Sequence, residues 1–173
     1  MKKYILVLGL LILWGCQEDI PREELPAPNK SGREVSNFTL IETDGQIKKW
    51  TLKAKRAVFK EVDGEAEQIL NIQDYKVNFH EESGQPDTVL TGKIGTYNRN
   101  TQEILTSRAV TITREDKKVL TSNVKWDPDE EIFITEEKVE IHDEGGVIRG
   151  RGMTATRDLE KITIMEQVSA EVK

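Results

Sequence analysis

The sequence is first informative through what it lacks. It contains one cysteine and two histidines among 173 residues, so no internal disulfide can form, and neither histidine has a partner at a spacing typical of zinc sites. It also has no GxSxG motif, no phosphate-binding glycine loop and no candidate catalytic cysteine. We therefore predict that the protein is not an enzyme and holds no metal or cofactor.

The polar residues that could suggest a metal site have simpler interpretations. His80 and His142 alternate with the apolar residues Phe79 and Ile141, which predicts outward-facing positions on strands. A calcium loop needs a glycine and a terminal glutamate at fixed places. Both are missing from the acidic cluster, which we interpret as an ordinary turn: Asp127, Asp129, Glu130 and Glu131.

Excess positive charge and a second long apolar run are missing as well. The net charge is −6, and it becomes about −8 if Lys2 and Lys3 are removed with a signal peptide. An acidic chain with dispersed charge argues against a nucleic-acid partner. Beyond residue 16 no apolar segment approaches the roughly 20 residues that a spanning helix needs.

The first residues have the pattern of a bacterial lipoprotein signal. Two lysines precede an apolar run, Tyr4 to Trp14, which is too short to span a bilayer. It ends in Leu13-Trp14-Gly15-Cys16, which resembles the lipobox read by lipoprotein signal peptidase. We predict that residues 1–15 are removed and that Cys16 becomes the acylated, palmitate-carrying first residue. The alternative is a chance cysteine after an ordinary signal peptide or an uncleaved anchor.

Residues 16–36 are predicted to be a tether. Pro21, Pro26 and Pro28 alternate with charged residues, so this segment can neither continue a helix nor pack a core. It would hold the domain at residues 37–173 away from the membrane.

The remainder has a period of two, which predicts an all-β domain of about nine to eleven antiparallel strands. The alternation is clear in Trp50-x-Leu52-x-Ala54 and in Val110-x-Ile112. Turn residues separate the runs, as at Asp44-Gly45 and Asp127-Pro128-Asp129. The only helical piece that the pattern allows is short and lies near Glu65–Gln68.

The strand pattern also repeats. Val110, Val139 and Val168 are 29 residues apart, and each ends a unit that we predict to contain about three strands. An earlier, looser copy runs from Trp50 to Phe79. Units of this size cannot bury an apolar face alone, so each is expected to stack on its neighbour. The predicted ladder would enclose an apolar trough and leave unpaired strands at both ends.

These features together resemble the LptC family of the OstA/LptA-like β-jellyroll superfamily. The resemblance rests on an ordered set of motifs across residues 38–172: Gly45 before Trp50-x-Leu52-x-Ala54, Leu90-Thr91-Gly92 before Gly95-x-Tyr97, Leu120-Thr121-Ser122 before Trp126-Asp127, and Ile148-x-Gly150-x-Gly152-Met153. It implies an open, twisted β-jellyroll that binds the acyl chains of lipopolysaccharide. The best-known members have an N-terminal transmembrane helix where this chain has the lipobox.

Apolar residues on the alternating face are the candidates for lining the groove, although for any one of them an ordinary core position is the simpler interpretation. They are Trp50, Leu52, Phe59, Phe79, Tyr97, Ile112, Trp126, Ile134, Ile141 and Met153. Basic residues near turns are candidates for contacting a phosphorylated lipid head: Lys93, Arg99, Arg149 and Arg151.

The resemblance also implies partners. An inner-membrane ABC transporter would supply lipopolysaccharide at the N-terminal strand, and a periplasmic LptA-like bridge would receive it at the C-terminal strand. The candidate edge residues are Phe38, Leu40, Val168, Ala170 and Val172. The expected location is the periplasmic face of the inner membrane, with the chain held by its N-terminal lipid.

Two alternatives remain open at this point. The domain could be a structural or adhesion module whose repeats simply pack. It could also be an LptA-like bridge at the outer membrane, because Gln17 follows Cys16 where an aspartate commonly accompanies inner-membrane retention in enteric bacteria.

Overall fold

The computed structural model describes residues 33–62, 65–81, 83 and 85–172. The predicted signal peptide, Cys16 and most of the predicted tether lie outside this part of the chain. Nine strands account for most of it: β1 (Glu34–Asp44), β2 (Ile47–Val62), β3 (Glu65–His80), β4 (Pro86–Asn98), β5 (Ile104–Arg114), β6 (Lys117–Asp127), β7 (Ile132–Asp143), β8 (Gly146–Thr156) and β9 (Ile162–Val172).

The strands form a single antiparallel sheet in chain order, from β1 to β9. This order follows from the short turns, because a strand that follows a short turn lies beside the strand before it and pairs with it. Gly45, with φ of 60°, turns the chain between β1 and β2. The sheet does not close, so β1 and β9 each have one paired neighbour among the described residues. The prediction of an open all-β fold is confirmed.

Two details of the sequence-based prediction change. β1 begins at Glu34, so residues 34–36, assigned to the tether, lie in the strand. The possible helical piece at Glu65–Gln68 is wrong, because these residues form the start of β3. Val62 pairs with Glu65 across the β2–β3 turn, and this extension of the ladder outweighs the local helix propensity. No helix among the described residues has the length and apolarity to cross a membrane.

The strands break their alternation near the middle. In β3 the buried residues are Leu70 and Ile72, then Tyr75 and Val77. The inward positions therefore change from even to odd across Asp74, whose φ is 45°. An extra residue of this kind is a β-bulge, which bends the strand and increases its twist.

Neighbouring strands bulge at matching places, so the bulges form a row across the sheet that we call the spine. The register skips Asn37 opposite Lys55, Lys55 opposite Asp74, and Asp74 opposite Lys93. In these three ladders the register is the same on both sides of the unpaired position, whereas between β4 and β8 it shifts by one residue at the spine. Both halves of the strands contribute side chains to one core, so the sheet folds at the spine with its two halves face to face.

The strand ends form two lips opposite the spine. The first lip consists of the β1–β2, β3–β4, β5–β6 and β7–β8 turns, and the second consists of the β2–β3, β4–β5, β6–β7 and β8–β9 turns. Where the lips meet, they define the mouth of the interior.

The spine also explains an error in the repeat analysis. Each 29-residue unit contains two strands, as in β4–β5, β6–β7 and β8–β9, rather than about three. The bulge interrupts the period of two inside each strand, so one bent strand has the sequence pattern of two short ones.

The candidate lipid groove and its mouth

The interior is one apolar cluster that extends from β2 to β8. Its centre is aromatic: the ring centroids of Phe79 and Trp126 are 4.6 Å apart, and Phe133 lies 5.4 Å from Phe79 and 4.9 Å from Trp126. Towards β1, Trp50 meets Tyr97 edge to face at 5.4 Å. These aromatic pairs fill the space between the two halves of the sheet, so the interior is packed and closed in this structure.

The structure brings most of the groove candidates together in this cluster. Eight are at most 4% exposed: Trp50, Leu52, Phe79, Tyr97, Ile112, Trp126, Ile141 and Met153. Phe59 is partly buried against the cluster. Ile134 is the exception, because its neighbours Phe133 and Thr135 are buried while it is half-buried on the other face of β7.

The apolar interior continues to both edges of the sheet, where it becomes partly exposed. Phe38 and Leu40 of β1 pack against the cluster at one end, and Phe38 meets Phe59 edge to face at 5.9 Å. Ile162 and Ile164 of β9 do so at the other end. Among the remaining edge candidates, Ala170 is exposed, whereas Val168 and Val172 are described by their backbone position in β9 alone.

The end of the mouth nearer β1 is weakly closed. A cavity of about 310 Å³ lies between the lips, bordered by Glu42, Asp44 and Lys49 on the first lip and by Gln102 and Glu131 on the second. One hydrogen bond crosses it, from Gln102 Nε2 to Glu42 Oε1 at 2.8 Å. Burial, and secondarily the charge of Glu42, raises the pKa of the adjacent Tyr97 to about 12.

The end nearer β9 is closed by an inserted side chain. Leu159, in the β8–β9 turn, is fully buried and belongs to the core cluster. Three side chains from the first-lip side of the sheet hold this turn by its backbone carbonyls. Arg114 Nη1 donates to Asp158 O at 2.7 Å, Lys117 Nζ donates to Leu159 O at 2.9 Å, and Thr88 Oγ1 donates to Arg157 O at 2.8 Å.

The Asp158 carboxylate stabilises the same turn from within. Burial raises its pKa, but hydrogen bonds from the Thr156 hydroxyl and the Glu160 amide, together with the charge of Arg114, lower the pKa below its ordinary value overall. The carboxylate is therefore ionised at neutral pH and holds the turn in one conformation.

The basic residues proposed for a lipid head are scattered. Arg99 is exposed in the β4–β5 turn on the second lip. Lys93 lies on the spine, where it binds Asp74 at 2.8 Å. Arg149 and Arg151 border a groove of about 860 Å³ on the outer face of the β6–β9 region, and Arg149 binds Glu140 at 2.9 Å.

Sequence reasoning missed Arg114, Lys117 and Leu159, which meet at the mouth. The available signal was Leu159 itself, a lone apolar residue in the charged segment from Arg157 to Lys161. Turns with a solvent-facing tip rarely need such a residue, so it pointed to burial. That Arg114 and Lys117 face it depends on the folding of the sheet at the spine, which has no local sequence pattern.

The two histidines have different environments. His142 lies on the outer face, as predicted, with Nε2 2.6 Å from Glu140 Oε1. The outward position predicted for His80 is wrong: it is 8% exposed, and its Nε2 lies 3.1 Å from Thr51 Oγ1. The β3–β4 register shifts between Asn78 and His80, so the alternation ends there. In the part of the chain that the structure describes, no group of acidic, histidine or cysteine residues could hold a metal ion.

Comparison with known proteins places the chain in a family. No curated protein sequence matches the chain. The model of the family described as "Lipopolysaccharide-assembly, LptC-related" matches residues 4–173, which is nearly the entire sequence and includes all nine strands. The chain therefore belongs to the LptC-related family of lipopolysaccharide-assembly proteins.

Proposed function

We propose that this domain binds the acyl chains of lipopolysaccharide in its apolar interior and passes the lipid on. It would receive lipopolysaccharide from an inner-membrane ABC transporter and deliver it to a periplasmic LptA-like bridge. Membership in the LptC-related family supports the coarser part of this proposal, a role in lipopolysaccharide transport at the periplasmic side of the inner membrane, and it is a family of transport components rather than enzymes.

One observation carries the finer part. The apolar interior spans the sheet and remains partly exposed at both edge strands, at Phe38 and Leu40 on one side and at Ile162 and Ile164 on the other. A structural core normally ends beneath polar residues, whereas a conduit must continue into its neighbours. For a ligand with several acyl chains, burial at about 25 cal/mol per Å² supplies ample binding free energy.

The edge strands suggest how partners would dock. An unpaired strand offers backbone donors and acceptors that a strand from another protein can use. We assign β1, with Phe38 and Leu40, to the transporter side. We assign β9, which contains Val168, Ala170 and Val172, to the bridge side. Docking at these edges would join the apolar interiors of successive proteins.

The closed interior favours a second candidate, a structural or adhesion module with a packed core. Phe79, Trp126 and Phe133 touch one another where an acyl chain would lie. Transport therefore requires that the lips separate and that these side chains rearrange around the lipid. The two candidates differ in whether lipid ever reaches these residues.

Photo-crosslinking separates the candidates. A photoreactive phenylalanine analogue at Phe79, Trp126 or Met153 is expected to capture lipopolysaccharide in cells. Met165 is the matched control for Met153, since it lies in the neighbouring strand and is 66% exposed. Capture at Met165 as strong as that at the interior positions, or capture at no interior position, would rule out the proposed groove.

Depletion tests the transport step itself. On loss of the protein, newly made lipopolysaccharide should accumulate in the inner membrane. Accumulation elsewhere, with the protein fractionating to the outer membrane, would favour the bridge-like alternative. A structural module would change neither distribution.

Anchoring by an acylated Cys16 is part of the proposal. The lipobox motif supports it, and acyl chains contribute about 0.8 kcal/mol per buried methylene, so several chains hold far more tightly than one. Metabolic labelling with palmitate should mark the wild type and not Cys16→Ala. Equal labelling of both would overturn the anchor while leaving the groove untouched.

A further inference from the structure

The β8–β9 turn is built as a rigid plug. Thr156 N donates a hydrogen bond to Lys161 O at 3.0 Å, and Leu159 N donates one to Thr156 O at 2.9 Å. The Thr156 hydroxyl donates a third to the Asp158 carboxylate. The turn therefore keeps its shape through its own hydrogen bonds. Its attachment to the first-lip side is separate: three bonds reach its carbonyls, and the Asp158 carboxylate lies 3.9 Å from Arg114. At its base, Arg157 N donates to Glu131 O of the β6–β7 turn at 3.0 Å, so the residues beyond Arg157 can move together about that point.

The inserted residue has a strained backbone. Leu159 has φ of 52°, a left-handed conformation that L-residues other than glycine, asparagine and aspartate seldom adopt. Strain of this kind persists where the surroundings hold it, and it often accompanies a functional segment. Here burial of the leucine side chain and the bonds from Arg114 and Lys117 hold it.

The two cations are satisfied by weak acceptors. The Arg114 side chain is only 17% exposed, and its carboxylate neighbours, Glu81 and Asp158, are both 3.9 Å away, at the limit of an ion pair. Its short bond, like that of Lys117, goes to a neutral carbonyl. A phosphate is a stronger acceptor for both groups, because its oxygens carry negative charge and attract the two cations, whereas a carbonyl oxygen carries no net charge.

We propose that Arg114 and Lys117 form a binding site for a phosphate on the lipid head, and that the carbonyls of Asp158 and Leu159 occupy this site until lipid arrives. Phosphate binding displaces the turn, and Leu159 leaves the interior as the acyl chains take its place. This inference rests on the proposed function and specifies how the lipid would open the mouth at the β9 end.

The arrangement links the two halves of the ligand. The cations lie at the rim of the interior and the leucine lies inside it, so a phosphate bound at the rim places attached acyl chains beside the space that Leu159 vacates. A free phosphate lacks the chains and would not replace the buried leucine. The site therefore distinguishes a phosphorylated lipid from a phosphate ion.

Trypsin provides a direct test, because Arg157 and Lys161 lie in the plug. The full-length protein in lipid nanodiscs is treated with bisphosphorylated lipid A, dephosphorylated lipid A or inorganic phosphate, and lipid binding is measured in parallel. We expect bisphosphorylated lipid A to raise cleavage after these residues about tenfold, as expected when a local opening becomes favourable. The other two additions should leave the cleavage rate unchanged.

Variants test the masking. In Arg114→Gln with Lys117→Gln, cleavage should be fast without lipid, and bisphosphorylated lipid A should no longer bind better than the dephosphorylated form. Lys118→Gln removes the exposed charge that follows Lys117 in β6 and should behave as wild type. If the double variant is unfolded by tryptophan fluorescence, Lys117→Gln alone should show the same changes to a smaller degree.

The outcomes separate the two proposals. If lipid A binds but plug cleavage does not change, or the variants bind both forms as wild type does, the masked phosphate site is wrong and the groove stands. If inorganic phosphate alone opens the plug, the ligand is the free anion and the assignment to a lipid is wrong. If no form of lipid A binds, the proposed function fails, and this inference fails with it.

Discussion

The two ends of the mouth are closed in the same way, by a turn residue that contacts the opposite lip, but through different interactions. In each, a residue with positive φ in a second-lip turn reaches across to the first-lip side: Gln102 with φ of 56° and Leu159 with φ of 52°. Gln102 contributes one hydrogen bond to Glu42 above a polar cavity. Leu159 contributes a buried side chain, and its turn receives three hydrogen bonds.

The difference teaches that closure is uneven along the interior. Burying a leucine contributes about 1.5–3 kcal/mol, whereas a hydrogen bond contributes about 1 kcal/mol net. The β1 end should therefore open at lower free energy than the β9 end. For the proposed conduit, this means that the end on the transporter side opens readily and the end on the bridge side needs a specific trigger.

The largest expected effect concerns the packed centre that both ends enclose. Phe133→Ala removes a fully buried ring that contacts Phe79 and Trp126. We expect the free energy of unfolding to fall by about 3–5 kcal/mol, measured by urea denaturation. Ile41→Ala, at a position 51% exposed on β1, should change it by less than about 0.5 kcal/mol. Similar losses in both variants would show that the interior is not packed as described.

The next effect measures the plug. Leu159→Ala should lower the free energy of unfolding by about 2–3 kcal/mol, within the range of buried leucine truncations. Leu159→Gly removes the same side chain but relaxes the positive φ, so it should be more stable than the alanine variant by up to about 1 kcal/mol. A glycine variant less stable than the alanine variant would contradict the left-handed conformation.

A smaller effect is expected at the other end. Gln102→Ala removes the hydrogen bond to Glu42, and we expect a loss of about 0.5–1 kcal/mol in thermal unfolding. Glu42→Gln keeps a polar partner and should lose less. If Gln102→Ala is as destabilising as Leu159→Ala, the two ends are equally closed and the comparison fails.

The smallest effect is a pH dependence confined to the plug. Because the folded-state pKa of Asp158 lies below the ordinary value for an aspartate, the stability that the ionised carboxylate contributes is complete well above that ordinary value and is lost as the pH falls through the folded-state pKa. Asp158→Asn should therefore be less stable than wild type at pH 7, by about 0.5 kcal/mol or less because the group is partly exposed. Urea denaturation at pH 7 and pH 3 should show the difference shrinking; a constant difference would contradict it.

Much of the fold could be predicted because strand patterns are local. Alternation at Trp50, Leu52 and Ala54 and the turn at Asp44-Gly45 indicated antiparallel strands, and the structure has them. Eight of the ten groove candidates occupy the interior for the same reason. The prediction for Ile134 was wrong, because alternation alone does not say which of two neighbouring apolar residues faces inward. In the structure the inward residue is its neighbour Phe133.

The spine could not be predicted, since a bulge is specified by pairing with other strands. Asp74 and Lys93 are ordinary polar residues in the sequence. They become bulge positions because Asp74 lies unpaired opposite Lys55 in one neighbouring strand and opposite Lys93 in the other. A bulge shifts the side-chain face by one residue, which is why each bent strand resembled two strands in the repeat analysis.

The sequence by itself determined the strand chemistry and the family, because these depend on short patterns and residue order. The acylated Cys16 is a prediction from the same kind of pattern. Only the tertiary structure decided how the interior is closed. Leu159 lies 45 residues along the chain from Arg114 and 42 residues from Lys117. They meet because the row of bulges folds the sheet and brings opposite strand ends together. No local sequence pattern specifies a contact between residues so far apart along the chain.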